Sequence, residues 1–447
     1  MIINMKLKSF YIHTFGCQMN VYDSEQISNI LLAKGYIEAS SMQSADIIIL
    51  NTCTIREKAQ QKVYSLLGRI SRYKSKNPDI IIAVGGCVAQ QEEYKIQKKL
   101  PFVNIVFGTH SITKLPYLIE DITKLKKKKL IDTNFTNNID DFEFPGIKYF
   151  KKNLIGFVTI MRGCNNYCSY CVVPYVRGRE MSRKPEDIVN EIKTKVQNGL
   201  KEVILLGQNV NSYGLYESCS FADLLYKINK IEGLQRIRFT TSHPKDISND
   251  LIKAYGEVEK LCDHIHLPVQ SGSDKILKKM NRKYLRKDYL KHIELLRKVR
   301  KNISISSDFI VGFPGEDETD FNHSISLIKE VGYDSIFAFK YSDRSLAPSS
   351  KYSPKIDEKT KASRLELLLN IQSNITKKKY ASLVNTNQKV LVEGMSKKRQ
   401  GQWTGRTSGN IIVNFTGQDI TYDITGEIVN VFINEACSHS LRGMHTT

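Results

Sequence analysis

Short apolar runs bounded by turn residues alternate with helically spaced stretches twice along the chain, which leaves room for little besides parallel sheets built of βα units. In the first set, Phe10 to Thr14, Asp46 to Asn51 and Asp79 to Val84 read as strands, and Ser24 to Lys34 and Arg56 to Arg72 have helical spacing. Asp23 and Ser24 fit a cap for the first helix and Gly35 its stop. The second set offers six strands: Ile155 to Met161, Glu202 to Leu206, Arg236 to Thr240, His264 to Leu267, Ile303 to Val311 and Ser335 to Phe339. An open parallel α/β sheet is expected from the first set and a partial (β/α)6 barrel from the second, with function at the C-terminal strand ends.

The final residues change style. Short β-rich runs at Lys389 to Glu393, Gln402 to Thr407, Ile411 to Phe415 and Thr425 to Asn434, divided by glycine-bearing turns, predict a small closed β-barrel. Lys124 to Lys129 and the polar Asp132 to Asp141 read as a surface linker. The expected divisions are therefore 8–125, a linker over 126–149, 150–382 and 385–447.

With 41% hydrophobic residues in 447, the chain has material for sizeable cores. No apolar run approaches the ~18–20 residues that cross a bilayer, and Lys6 and Lys8 interrupt any signal-peptide core, so a soluble cytoplasmic protein without a membrane partner is expected. The balance of 66 basic against 46 acidic residues, +20, favours a polyanionic partner. Twelve Lys and Arg against three acids between Asp274 and Lys301 could line a phosphate-binding face or a solvated helix.

Nine cysteines in such a chain point to metal or redox chemistry rather than a disulfide scaffold. Met161 to Pro174 reads MRGCNNYCSYCVVP, placing Cys164, Cys168 and Cys171 in one loop directly after a strand. Three thiolates there can grip an iron-sulfur core and leave one iron open. Structural zinc asks for four closed ligands, and no fourth His or Cys follows at short spacing. Cys17 in HTFGCQMN, Cys53 in NTCTIREKA and Cys87 in VGGCVAQ each follow a strand of the first set, so a parallel sheet would gather them along one edge. Gly16, Gly85 and Gly86 would let the backbone approach a bulky core. Cys219, Cys262 and Cys437 read as small apolar fillers, and none of His243, His264 and His266 is assigned as a base.

With the aromatic Tyr170 just before its last cysteine, the Cys164 loop resembles that of radical S-adenosylmethionine enzymes. The resemblance implies a [4Fe-4S] cluster whose open iron chelates the amino and carboxylate groups of S-adenosylmethionine. One electron then cleaves its C–S bond to give a 5′-deoxyadenosyl radical. Tyr170, Gly207, Gln208, Asn209 and Asp308, with the Gly312 to Gly315 turn, are implied contributors to the cofactor pocket. The Arg177 to Arg183 segment could face the nucleic acid, the cofactor carboxylate or solvent.

Together with CSYCVVPYVRGRE, LLGQNVNSYG, HLPVQSGS and DFIVGFPGE, the three N-terminal motifs resemble the methylthiotransferase family over nearly the whole chain. That family implies a second [4Fe-4S] cluster on Cys17, Cys53 and Cys87. One S-adenosylmethionine methylates a cluster-associated sulfur and another supplies the radical. The branch most resembled acts on N6-dimethylallyladenosine beside the tRNA anticodon, converting it to the 2-methylthio derivative. Threonylcarbamoyladenosine in tRNA and ribosomal protein S12 are the substrates of the other branches, and a non-catalytic zinc-containing RNA-binding protein is the reading from another class. No conventional acid or base residue is nominated.

The last segment resembles a TRAM domain, an RNA-binding β-barrel. Lys397, Lys398, Arg399 and Arg406 surround Trp403, which suits phosphate contact plus base stacking. Six basic against five acidic residues over 385–447 leave a purely structural barrel open. The implied partners are the tRNA anticodon stem-loop, an electron donor such as flavodoxin or ferredoxin, and a sulfur or cluster-repair protein.

Overall fold

The computed structural model describes residues 8–54, 57–136, 138, 153–214, 218–396, 401–417 and 422–446. Lys397, Lys398 and Arg399, Lys6, Arg56 and residues 137 and 139–149 of the expected linker lie outside them. Contacts divide the chain into two units, the first comprising 1–152, 157–165 and 172–188, the second 153–156, 166–171 and 189–447. Among the described residues no helix is long and apolar enough to cross a membrane.

The first unit holds a parallel six-stranded sheet. Its strands are β1 (Ser9–Thr14), β2 (Ile37–Glu38), β3 (Ile47–Thr52), β4 (Ile81–Gly86), β5 (Ile105–Phe107) and β6 (Leu130–Asp132), in the order β2-β1-β3-β4-β5-β6. β3 and β4 are buried along their whole length, as a sheet covered on both faces requires. Ile48, Leu50, Ile82 and Val84 pack on Val63, Leu67 and Ile70 of the helix Glu57–Lys76. The alternate residues Ile47, Ile49, Ile81 and Ala83 pack on Ile27 and Leu31 of Gln18–Ala33 and Ile119 of Leu115–Lys124. The register pairs Thr14 with Asn51, Asn51 with Gly85 and Thr52 with Gly86, so the three central strands end level.

Two expectations change here. The first helix begins at Gln18 with Cys17 in the cap position, so Asp23 and Ser24 lie inside it. Both side chains bond to other elements: Asp23 to arginines, and Ser24 to Thr14 and Asn51. A cap built on them would forfeit those bonds. Gly35 does follow the helix, with φ of 84°. The supposed linker also contributes β6, which extends the sheet from β5.

Also in the first unit, β8 (Met161–Arg162) and β9 (Met181–Ser182) pair antiparallel and flank the short helix Val173–Arg177. The six expected barrel strands are present. β7 (Ile155–Thr159) lies where the two units divide, and Lys201 N donates to Leu154 O at its start. With β10 (Glu202–Leu206) and β11 (Arg236–Phe239) it forms one three-stranded sheet, in the order β11-β10-β7. β12 (His264–His266), β13 (Ser304–Val311) and β14 (Ser335–Lys340) form another. A parallel bridge from Ile237 to Leu261 joins the sheets into a partial barrel.

The C-terminal segment forms a closed barrel of β15 (Asn387–Met395), β16 (Trp403–Thr407), β17 (Ile412–Thr416), β18 (Ile428–Ala436) and β19 (Leu441–Thr446), in the order β15-β16-β17-β19-β18. The fifth strand, β19, was not legible in the sequence. Arg236 Nη1 donates to Arg406 O at 2.7 Å, Arg238 Nη1 to Ser408 O at 3.2 Å, and Asp263 N to Ser408 Oγ at 2.8 Å. These bonds fix the small barrel against residues at the N-terminal ends of the larger barrel's strands, opposite the ends expected to carry function.

Candidate metal centres

Level strand ends bring Cys17, Cys53 and Cys87 to one edge. The Cys17 thiol shares a hydrogen bond with the Cys53 thiol and donates to Asn20 Oδ1 at 3.3 Å. Gly16 has φ of 119°, and a Cβ there would stand 2.9 Å from Cys53 Sγ. Gly86 has φ of 88°, and a Cβ there would stand 2.6 Å from Asn51 Oδ1. The edge is thus a cradle that side chains at either glycine would fill. Asn20 and Asn51, both buried, lock it: Asn20 Nδ2 donates to Asn51 Oδ1 and Thr52 O at 3.0 Å, and Asn51 Nδ2 to Asn20 O at 2.9 Å.

A buried charge cluster stands behind these thiols. Asp23 Oδ1 accepts from Arg162 Nη2 at 3.1 Å and Oδ2 from Arg177 Nη1 at 2.7 Å, with all three side chains at most 4% exposed. The hydrogen bond from Cys53, helped by the Arg177 charge and opposed by burial, lowers the Cys17 thiol pKa to about 6. Burial pushes the Cys87 thiol up, against the pull of Arg177, which also hydrogen-bonds it. Arg183 is buried too, donating to Thr159 O at 2.8 Å and Tyr22 Oη at 3.3 Å. Arg177 and Arg183 are therefore interior anchors and not groups for a ligand or solvent; Arg179 between them is exposed.

The division between the units passes through the second cysteine loop, leaving Cys164 in the first and Cys168 and Cys171 in the second. Cys164 N donates to Gly178 O at 3.2 Å. In the second unit, Ser169 N and Oγ donate to Met280 O and Lys279 O at 3.0 and 2.8 Å, and Ser349 N donates to Ser169 O at 2.9 Å. Asn281 Nδ2 donates to Tyr167 O at 2.9 Å. Arg282, 4% exposed, donates from Nη1 to Cys168 Sγ and to Tyr170 Oη, each at 3.4 Å. A cavity of about 530 Å³ opens beside this loop, with Tyr167, Ser169, Lys278 and Lys279 in its wall. Among the described residues no group of three or more His, Cys, Asp or Glu stands ready for a single metal ion, so both sites rest on convergence and donor chemistry.

The expected cofactor residues separate into two groups. Gly207 and the half-buried Gln208 follow β10 directly, and buried Asn209 donates to Asp246 Oδ2 at 2.7 Å. Asn209 Oδ1, Asn211 Oδ1, Ser242 Oγ and His243 Nε2 are buried without a hydrogen-bond partner. Buried polar atoms are rarely left so, and four of them after β10 and β11 suit a polar ligand. Lys245 N donates to His243 Nδ1, and burial holds that imidazole well below its usual range, so its proton sits on the orphaned Nε2. Asp308, half-buried on β13, instead meets His266 Nε2 at 3.4 Å. Gly312 N is tied to Glu316, which pairs with Arg364 at 2.8 Å, so that turn has a structural job.

The basic stretch Asp274 to Lys301 divides as well. Arg286 pairs with Glu330, Arg300 with Asp263, and Lys275 with Asp317 and Asp320, so these three of its twelve basic residues are matched by carboxylates outside the stretch. Cys219 and Cys262 are buried as fillers, while Cys437 is only half-buried. Sequence reading missed the roles of Asn20, Asn51, Asp23, Arg162, Arg282 and Ser242, for the first five because their partners lie far along the chain.

Comparison with known proteins completes the picture. Residues 9–108 match the uncharacterized protein family UPF0004, 158–328 the radical SAM superfamily and 381–444 the TRAM domain. A tRNA-2-methylthio-N(6)-dimethylallyladenosine synthase of Desulfosudis oleivorans is 48% identical, over 98% of this chain and 97% of the relative. One of Syntrophus aciditrophicus is 49% identical over 99% and 95%. The radical S-adenosylmethionine methyltransferase TsrM of Kitasatospora setae, 13% identical, shares the fold over 77% of this chain and 75% of its own, with a TM-score of 0.60. With near-complete coverage at such identity, this chain belongs to the family of tRNA-2-methylthio-N(6)-dimethylallyladenosine synthases, radical S-adenosylmethionine transferases that end in a TRAM domain.

Proposed function

We propose that the protein converts N6-dimethylallyladenosine beside the tRNA anticodon to its 2-methylthio derivative. The full-length relatives carry this reading furthest, since each bears that activity in its name at 47–49% identity. In this reading Cys164, Cys168 and Cys171 hold one [4Fe-4S] cluster in 150–382, Cys17, Cys53 and Cys87 hold a second in 8–125, and 385–447 contacts RNA. When bound, the clusters and S-adenosylmethionine supply the electron, the radical and the methylated sulfur that an inert aromatic carbon requires.

The chain's own residues do the rest. Asn20 and Asn51 hold the first three thiols on a rigid strand edge. Asn209, Asn211, Ser242 and His243 offer the orphaned polar atoms that would orient S-adenosylmethionine, joined by Gly207 and Gln208 in the same turn. Tyr170, at Arg282, and Asp308, on β13, are the remaining cofactor residues of this reading. Trp403 and Arg406 of the terminal barrel suit stacking and phosphate contact. A flavodoxin or ferredoxin would deliver electrons, a sulfur or cluster-repair protein would restore the spent site, and a tRNA substrate places the work in the cytoplasm.

Nucleoside mass spectrometry of tRNA from a host lacking this gene tests the reading. Loss of the methylthio nucleoside with accumulation of its dimethylallyl precursor, reversed by the intact chain but not by Cys17→Ala, supports it. An unchanged nucleoside profile rejects it.

A further inference from the structure

Arg282 is a buried cation of an unusual kind. Nε donates to Tyr284 Oη at 3.0 Å, Nη2 to Pro268 O at 2.6 Å, and Nη1 to Cys168 Sγ and Tyr170 Oη. These partners are two hydroxyls, a carbonyl and a thiol, and none is a carboxylate. Burying a guanidinium without a carboxylate partner is costly, as breaking a buried ion pair is. Arg177, the arginine beside the Cys17 and Cys87 thiols, escapes this cost through Asp23.

The backbone around Arg282 is also held in a costly shape. Asn281 has φ of 58° and Lys283 φ of 57°, two residues with side chains in the left-handed region on either side of it. Lysine has no local bond to favour that shape, and such positions gather at functional sites. Tyr284 Oη donates to Val269 O at 2.7 Å, which turns its lone pairs toward Arg282. The segment thus aims one guanidinium N–H at one sulfur.

We propose that Arg282 tunes the reduction potential of the cluster held by Cys168, through an N–H···S hydrogen bond and a positive charge without a carboxylate to cancel it. This rests on the reading that Cys164, Cys168 and Cys171 hold a [4Fe-4S] cluster. Hydrogen bonds to ligand sulfur and nearby net charge set such potentials, and a buried cation favours the reduced, more negative state. Arg282 is a positioning and tuning residue, acting through Cys168.

The test uses the full-length chain with C17A, C53A and C87A together, so that only one site can load, reconstituted anaerobically and titrated with EPR detection. Iron bound by this parent tests the underlying reading, and its absence would sink that reading instead. Given a loaded parent, Arg282→Gln should make reduction about tenfold less favourable, a midpoint about 59 mV more negative for one electron. Arg282→Lys, which keeps charge but loses the fork, should fall between the two. If Arg282→Gln does not load, Arg282→Lys and Tyr284→Phe carry the same comparison. A loaded variant with the parent's midpoint overturns the proposal. So does loss of iron in all three, which would mark Arg282 as a purely structural support.

Discussion

Cys17, Cys53 and Cys87 meet only because three parallel strands end level, whereas Cys168 and Cys171 share one loop seated on Lys279, Met280, Asn281 and Ser349. The strand-built site buys its geometry with register and with glycines at φ of 119° and 88°. The loop-built site depends on bonds from a segment more than a hundred residues away. Their cations differ in the same way. Arg177 is matched by a carboxylate and stabilises the fold, while Arg282 is left for the sulfur beside it. Equal numbers of thiols thus sit in electrostatically unequal surroundings, as two different tasks require.

Replacing cysteines should divide the two sites most sharply. Cys168→Ala should abolish both S-adenosylmethionine cleavage and product, while Cys53→Ala should abolish product and leave cleavage measurable as 5′-deoxyadenosine. Equal loss of cleavage in both variants would erase the distinction. Asp23→Ala strands Arg162 and Arg177 in the interior and should cost about 3–5 kcal/mol, read as a lower melting temperature. A melting temperature within error of the parent would show that Asp23 does not anchor the first site. Gly16→Ala should cost about 2–4 kcal/mol from left-handed strain and crowding against Cys53, and should lower iron bound by the first site alone.

A smaller effect is expected from Arg236→Gln, about 1.5 kcal/mol from lost charged hydrogen bonds, seen as faster proteolysis between the two barrels of the second unit. In the metal-free chain, Cys17 should be alkylated several-fold faster than Cys87 at pH 7. Its thiol, lowered to about 6, is mostly thiolate there, and its rate should fall as pH drops through 6, whereas Cys87 is pushed up. Equal rates would mean that the thiols share one environment.

All six strands of the larger barrel were legible because their apolar runs are local signals, and the cysteines because each follows such a run. β2, β5 and β6 span two or three residues and carry no periodicity to read. The start of the first helix was misplaced because Asp23 resembles a cap in sequence, yet its partners Arg162 and Arg177 lie 139 and 154 residues away. Arg282 was hidden for the same reason, since a basic stretch gives no sign of which arginine turns inward.

Iron and sulfide analysis of anaerobically reconstituted protein tests most directly whether the chain carries two separate three-cysteine centres. Removing Cys17, Cys53 and Cys87 together should halve the iron, removing Cys164, Cys168 and Cys171 together should halve it likewise, and removing all six should leave none. Full iron retained after loss of either trio would mean that the chain does not hold two separate centres.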